Sequence, residues 1–122
     1  MKISELMTQP VLEIDENVTV QESAETMGKA HVGALLVKKN GEDVGIVTER
    51  DIMSKVIAAR GSMENTKTKE IMSTPIVTVD KNMDAEEAMK TMAKSKVRRL
   101  LITDKGKIVG IFTTSDMIKM AQ

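Results

Sequence analysis

Two segments of this chain carry side chains suited to holding a ligand. They are Gly45-Ile46-Val47-Thr48-Glu49-Arg50-Asp51-Ile52 and Gly110-Ile111-Phe112-Thr113-Thr114-Ser115-Asp116-Met117. Both read Gly, apolar, apolar, Thr, two polar residues, Asp, apolar. The pattern places the Thr at the end of a strand and the Asp in the first turn of a helix. A carboxylate there can accept two hydrogen bonds from a vicinal diol, such as that of a ribose. A phosphate next to the diol would lie over the unpaired N–H groups of the helix start, at the positive end of its dipole. Gly45 and Gly110 would let a ligand come close to the backbone. The same Thr-x-x-Asp spacing is also a helix cap, which needs no ligand.

These segments are equivalent parts of a longer repeat. Residues 2–57 align on residues 67–122 at a constant offset of 65 without a gap, and 19 of the 56 pairs are identical. The identities include Met7/Met72, Pro10/Pro75, Asp15/Asp80, Met27/Met92, Leu35/Leu100, Gly41/Gly106, Gly45/Gly110 and Asp51/Asp116. Duplication on this scale predicts two copies of one unit packed about a pseudo-two-fold axis, with any site present twice. It copies caps as faithfully as binding residues, so repetition alone does not separate the two readings.

Each copy reads β-α-β-β-α, an α/β (α+β) fold. In the first, Ile3–Met7 is a short turn and Val11–Ile14 a strand. Thr19-x-x-Glu22 opens a helix, with Val20, Ala24, Met27 and Gly28 on one face. Ala34–Val37 is a short apolar run suited to a strand covered on both faces. Asn40-Gly41 signals a hairpin, and Asp43–Val47 returns. In the second, Ile76–Val79 is a strand and Asp84-x-x-Glu87 opens a helix carrying Ala88, Met89 and Met92. Leu100–Ile102 and Lys107–Phe112 flank the Lys105-Gly106 turn. The helical spacing assigns Met27, Met89 and Met92 to the core. The expected division is 1–60, a linker at 61–66, and 67–122.

Composition narrows the function classes. Lys+Arg and Asp+Glu both number 18, so no net charge draws the chain to nucleic acid or an anionic membrane. The single aromatic residue, Phe112, gives no platform for stacking bases. The chain has no cysteine, which removes disulfides, thiolate metal sites and cysteine nucleophiles and fits a reducing cytoplasm. One histidine, His31, without a partner cannot build a zinc site. No apolar run is long enough to span a membrane, and MKISELMTQP does not read as a signal peptide. No G-x-x-x-x-G-K phosphate loop and no nucleophile–base set is present, so the expectation is a protein without catalysis, metal or cofactor.

The β-α-β-β-α order, the Met-x-x-Pro-apolar opening, the Asn-Gly or Lys-Gly turn and the Gly-apolar-x-Thr-x-x-Asp ending, all repeated, resemble a tandem pair of CBS domains of the stand-alone type. The resemblance covers residues 2–122. It implies a regulatory module with two clefts between repeats that bind adenosine-containing ligands: AMP, ADP, ATP or S-adenosylmethionine. It assigns the ribose contact to Asp51 and Asp116, with Thr48 and Thr113 as hydroxyl partners. Contacts to the base would come from Thr8, Pro10 and Val11 and from Thr74, Pro75 and Ile76. Basic residues before the middle strand, Arg98 and Arg99 in the second repeat against Gly33 and Ala34 in the first, would favour phosphate. Glu49 would repel it where Thr114 and Ser115 would donate. The expectation is a phosphate preference at Asp116 and weaker or phosphate-free binding at Asp51. The resemblance also implies a homodimer, with Met53, Ile57, Ile118 and Met120 as a pairing face, and a regulated protein partner. The alternative is a dimerisation or scaffold module that needs no ligand; nucleic-acid binding ranks third.

Overall fold

A computed structural model of the chain describes residues 1–121, with side chains through Met120; the expected end of the second repeat, Gln122, lies outside them. Two three-stranded sheets are present, each built by one repeat. In the first, β1 (Glu13–Asp15) pairs parallel with β2 (Ala34–Lys39), and β2 pairs antiparallel with β3 (Glu42–Thr48). In the second, β4 (Thr78–Asp80), β5 (Arg99–Asp104) and β6 (Lys107–Thr113) repeat the order. Each crossover carries one 11-residue helix, α1 (Val20–Ala30) or α4 (Ala85–Ser95). The outer strands begin two residues later than expected in both copies.

Local chemistry sets the boundaries. Thr19 caps α1 by accepting from the Glu22 N–H, and Asp84 caps α4 by accepting from the Glu86 N–H. Both helices end on a left-handed residue, His31 (φ 56) and Lys96 (φ 55), a stop the sequence did not advertise with glycine. The hairpins turn through Asn40-Gly41 and Lys105-Gly106 with positive φ at both residues. That is the turn whose twist matches the flanking strands. After β3 the chain forms α2 (Glu49–Ile52), which continues into a π-helical turn at Met53–Ile57. After β6 the equivalent stretch, Thr114–Ala121, is 3-10 helix. A short α3 (Thr68–Ile71) and a 3-10 turn at Ile3–Glu5 open the two repeats.

The compact units do not follow the repeats. One unit joins Met1–Val11 to Val77 and onward; the other is Leu12–Ile76. Each therefore takes the body of one repeat and the opening segment of the other. In the first unit, Ile3 and Leu6 pack with Val79, Ala88, Met92, Leu100, Ile102 and Phe112. In the second, Ile71 packs with Val20, Met27, Leu35, Val37, Val47, Ile52 and Val56. The opening segment bridges the free edge of the last strand: Thr8 pairs with Ile111, and Ser73 with Ile46. That covers edge groups which would otherwise be left unpaired.

Met27 and Met92 are buried and Met89 half-buried against its core, as the spacing predicts. Gly28 departs from expectation. It is exposed, and a Cβ built there would meet nothing within 4 Å. The two glycines of the shared motif also have a different role. A Cβ at Gly45 would lie 2.6 Å from Met72 Sδ, and one at Gly110 would lie 2.8 Å from Met7 Cγ. The room expected for a ligand is filled by the methionine that opens the other repeat.

Candidate functional site

Asp116 sits one turn past Thr113 and is 6% exposed. Its Oδ2 accepts from the Thr113 N–H at 2.9 Å and the Thr113 hydroxyl at 3.3 Å. Its Oδ1 accepts from the Thr8 hydroxyl at 3.2 Å and pairs with the Lys119 ammonium at 2.9 Å. Lys119 also donates to the Leu6 carbonyl at 3.1 Å. Thr8, Thr113 and Asp116 thus meet within one unit, with the opening segment supplying Thr8.

Asp51 repeats this geometry and is also 6% exposed. Its Oδ2 accepts from the Thr48 N–H and hydroxyl, each at 3.0 Å, while Thr48 Oγ1 accepts from the Asp51 N–H at 3.1 Å. Its Oδ1 accepts from the Ser73 hydroxyl at 2.9 Å and pairs with Lys55 at 3.0 Å. Lys55 donates to the Ile71 carbonyl at 2.8 Å. At Asp51 the capping box closes in both directions, whereas at Asp116 the contacts are the Thr113 N–H and hydroxyl donating to the carboxylate. No buried side-chain N or O among the described residues lacks a partner.

Three participants were missed by sequence reasoning: Ser73, Lys55 and Lys119. Ser73 is the aligned counterpart of Thr8 and had a signal; its neighbour Thr74 is exposed. Pro10 and Pro75 are exposed, each after a cis peptide bond, and Val11 and Ile76 are half-buried. Arg99 lies opposite Thr113 across β5–β6, so their side chains share a sheet face. Arg98 is exposed, and its carbonyl accepts from the Thr114 N–H at 3.3 Å. Among the described residues neither arginine forms an ion pair. The helix starts offer fewer free donors than expected. The Glu49 N–H donates to the Gly33 carbonyl at 3.0 Å, and the Asp51 N–H is taken by Thr48.

A separate groove of about 580 Å³ lies between α1 and α2, lined by Met27, Gly28, His31, Ile52 and Met53 among others. Asp51 does not line it. Where this unit has Ala24 and Gly28, the aligned positions hold Met89 and Ala93. Met53, Ile57 and Ile118 are more than half exposed. Met120, expected beside them, instead packs partly against the core of its own unit. Among the described residues no cluster of three or more His, Asp or Glu could hold a metal ion. No helix there is long and apolar enough to cross a membrane.

Comparison with known proteins agrees with this architecture. The CBS domain family model matches residues 3–58 and again 69–122. The CBS domain-containing protein YhcV of Bacillus subtilis is 36% identical over 94% of this chain and 81% of its own length. MJ0450 of Methanocaldococcus jannaschii, an uncharacterised protein, is 34% identical over 95% of this chain. The chain spans only 63% of that relative and 62% of MK0525 of Methanopyrus kandleri. Among solved structures, a conserved protein of Pyrococcus horikoshii superposes with a TM-score of 0.85 at 32% identity, covering 99% of this chain and 92% of that one. A hexameric CBS-CP12 protein from bloom-forming cyanobacteria gives 0.86 at 30% identity, covering 97% and 69%. With both of its repeats matched, the chain belongs to the CBS-domain family as a tandem pair.

Proposed function

We propose that this CBS-domain pair is a regulatory sensor of adenosine-containing ligands, namely AMP, ADP, ATP or S-adenosylmethionine, and not an enzyme. CBS pairs are generally regulatory ligand-binding modules. The observation that carries the finer reading is the same four-part cluster in both units: a buried Asp, the Thr three residues before it, a hydroxyl from the opening segment of the other repeat, and a lysine. A ribose diol presents two donors that match one carboxylate oxygen and its neighbour. A ligand held there touches both repeats at once. It can then bias how that opening segment seats on the body of its unit, through its differential affinity for the conformations available, and a partner protein would read the change. Arg99, without an ion pair among the described residues and facing the same side as Thr113, favours a phosphorylated ligand at Asp116. Glu49 makes the Asp51 site the poorer one for phosphate.

Calorimetric titration with AMP, ADP, ATP, S-adenosylmethionine and GTP tests this. Micromolar binding of an adenine ligand, with GTP much weaker, is the expected result. Absence of heat and of thermal stabilisation with all five reduces the two clusters to helix caps.

The exposed Met53, Ile57 and Ile118 and the groove beside Met53 favour self-association as a second property. The hexameric relative shows that CBS proteins do assemble. Light scattering is expected to give at least a dimer, and Met53→Glu with Ile118→Glu to give a monomer. A monomeric wild-type protein at tens of micromolar removes this property.

A further inference from the structure

Lys55 and Lys119 are not products of the duplication. Under the offset of 65, Lys55 aligns with Met120, and Lys119 aligns with Ser54. Yet both ammonium groups arrive at the same place, on Oδ1 of the motif Asp and on a carbonyl of the opening segment. Helix geometry explains how. Asp51 lies on α2, and Lys55, four positions on, lies in the π-helical turn that continues it and reaches back to the carboxylate. Asp116 lies on 3-10 helix, where the residue three positions on eclipses it. Two non-equivalent positions supply one contact, so the contact itself is the common feature.

That contact also fills the carboxylate. An ionised carboxyl has about four acceptor positions. In Asp51 they are taken by the Thr48 N–H, the Thr48 hydroxyl, the Ser73 hydroxyl and Lys55. In Asp116 they are taken by the Thr113 N–H, the Thr113 hydroxyl, the Thr8 hydroxyl and Lys119. A diol can bind only by displacing two of the four. The Thr contacts on Oδ2 tie the carboxylate to the helix start, and breaking them costs part of that end's stability. The contacts on Oδ1 are the replaceable ones. Both lysines are nearly half exposed, 44% and 48%, and have long flexible stems.

The geometry points to Lys55 and Lys119 as the residues that decide which adenosine ligand is accepted. This inference rests on the adenosine-ligand reading above. A diol that takes Oδ1 evicts the ammonium from its carboxylate and frees it beside the ribose. A 5′-phosphate supplies a new partner for that displaced charge. An uncharged nucleoside supplies none, and binds against the cost of a broken ion pair. A sulfonium at the 5′ position, as in S-adenosylmethionine, brings like charge. Both sites therefore select phosphorylated ligands, and they do so with or without the arginines.

The test is the ratio of dissociation constants for adenosine and AMP. It is measured by calorimetry on wild type, on Lys55→Met with Lys119→Met, and on Lys55→Arg with Lys119→Arg. Wild type is expected to prefer AMP by about tenfold or more. The methionine pair is expected to hold adenosine at least as tightly as wild type and to lose about tenfold in AMP affinity. The arginine pair, which keeps the charge, is the control for folding and retains the preference. Each single substitution repeats the measurement at one site. An unchanged ratio in the methionine pair, or an equal loss for both ligands, overturns the assignment and leaves the adenosine reading standing. A wild type that binds neither ligand overturns both.

Discussion

Deletion of residues 1–8 is expected to unfold the unit built on residues 77–121 while residues 12–76 keep their structure. The deleted segment lies next to the first repeat in the chain but packs into the body of the second. Ile3 is fully buried and Leu6 is 3% exposed, both in the core around Phe112. Burial of two such side chains stabilises by roughly 3–6 kcal/mol, a large part of the roughly 5–15 kcal/mol of a typical domain. The deletion also strips the Ile111 N–H and carbonyl of their Thr8 partners, and Ala85 and Lys81 of theirs at Met1 and Ser4. Hydrogen exchange separates the outcomes. Loss of protection at Leu100, Ile102 and Phe112, with Val37 and Val47 unaffected, is the expected pattern. The reverse pattern would mean that the opening segment packs on its own repeat.

That exchange of segments was the part of the fold least legible in the sequence. The alternation of strands and helices comes from local signals: the Thr19 and Asp84 caps, the Asn-Gly and Lys-Gly turns, and the doubly buried Leu35-Leu36-Val37 run. Each acts within a few residues, so each can be read from a few residues. Which body Ile3 and Leu6 cover is a question of long-range packing, and no periodicity encodes it. The only trace is a pair of matched shapes: Met7 fits Gly110, and Met72 fits Gly45. Each of those residues has a near-identical counterpart 65 positions away, so sequence alone does not say which methionine meets which glycine.

The candidate site divides along the same line. Thr48, Asp51, Thr113 and Asp116 were legible because the Thr and Asp are three apart and the motif recurs. Ser73 was hidden because Thr74, one residue on, looks equally suitable. Lys55 and Lys119 were hidden for a geometric reason. Comparing the repeats at a fixed offset assumes that equivalent contacts come from equivalent positions. The α2 segment and the 3-10 segment wind differently, and the lysine moves by one position to keep its contact. The free N–H groups expected at the helix starts were over-counted, because the loop before each middle strand folds back to use one.

Asp116→Ala and Asp116→Asn are expected to separate capping from ligand contact. The alanine variant removes all four contacts and leaves the Thr113 N–H and the Lys119 ammonium without their carboxylate. Loss of such a cap, with partners left unpaired, costs about 1–3 kcal/mol. At roughly 4 °C per kcal/mol for a chain of this size, a melting temperature lower by about 4–12 °C follows. The asparagine variant keeps one oxygen for the Thr113 N–H and the side-chain volume, so its loss should be about 1 kcal/mol or less. Ligand binding should not follow this order. A diol donating two hydrogen bonds to a carboxylate draws on charge that asparagine lacks, and each such bond contributes about 1.5–3 kcal/mol. Both variants should therefore lose adenine-ligand binding at this site by about a hundredfold or more. Calorimetry on either should show only the Asp51 site remaining. Thermal melts and titrations on the same samples decide the matter. If Asp116→Asn melts near the wild-type temperature and still binds like wild type, Asp116 is a cap and nothing more. If it melts there and binds at one site fewer, the carboxylate charge is spent on the ligand, and the fold needs only its shape.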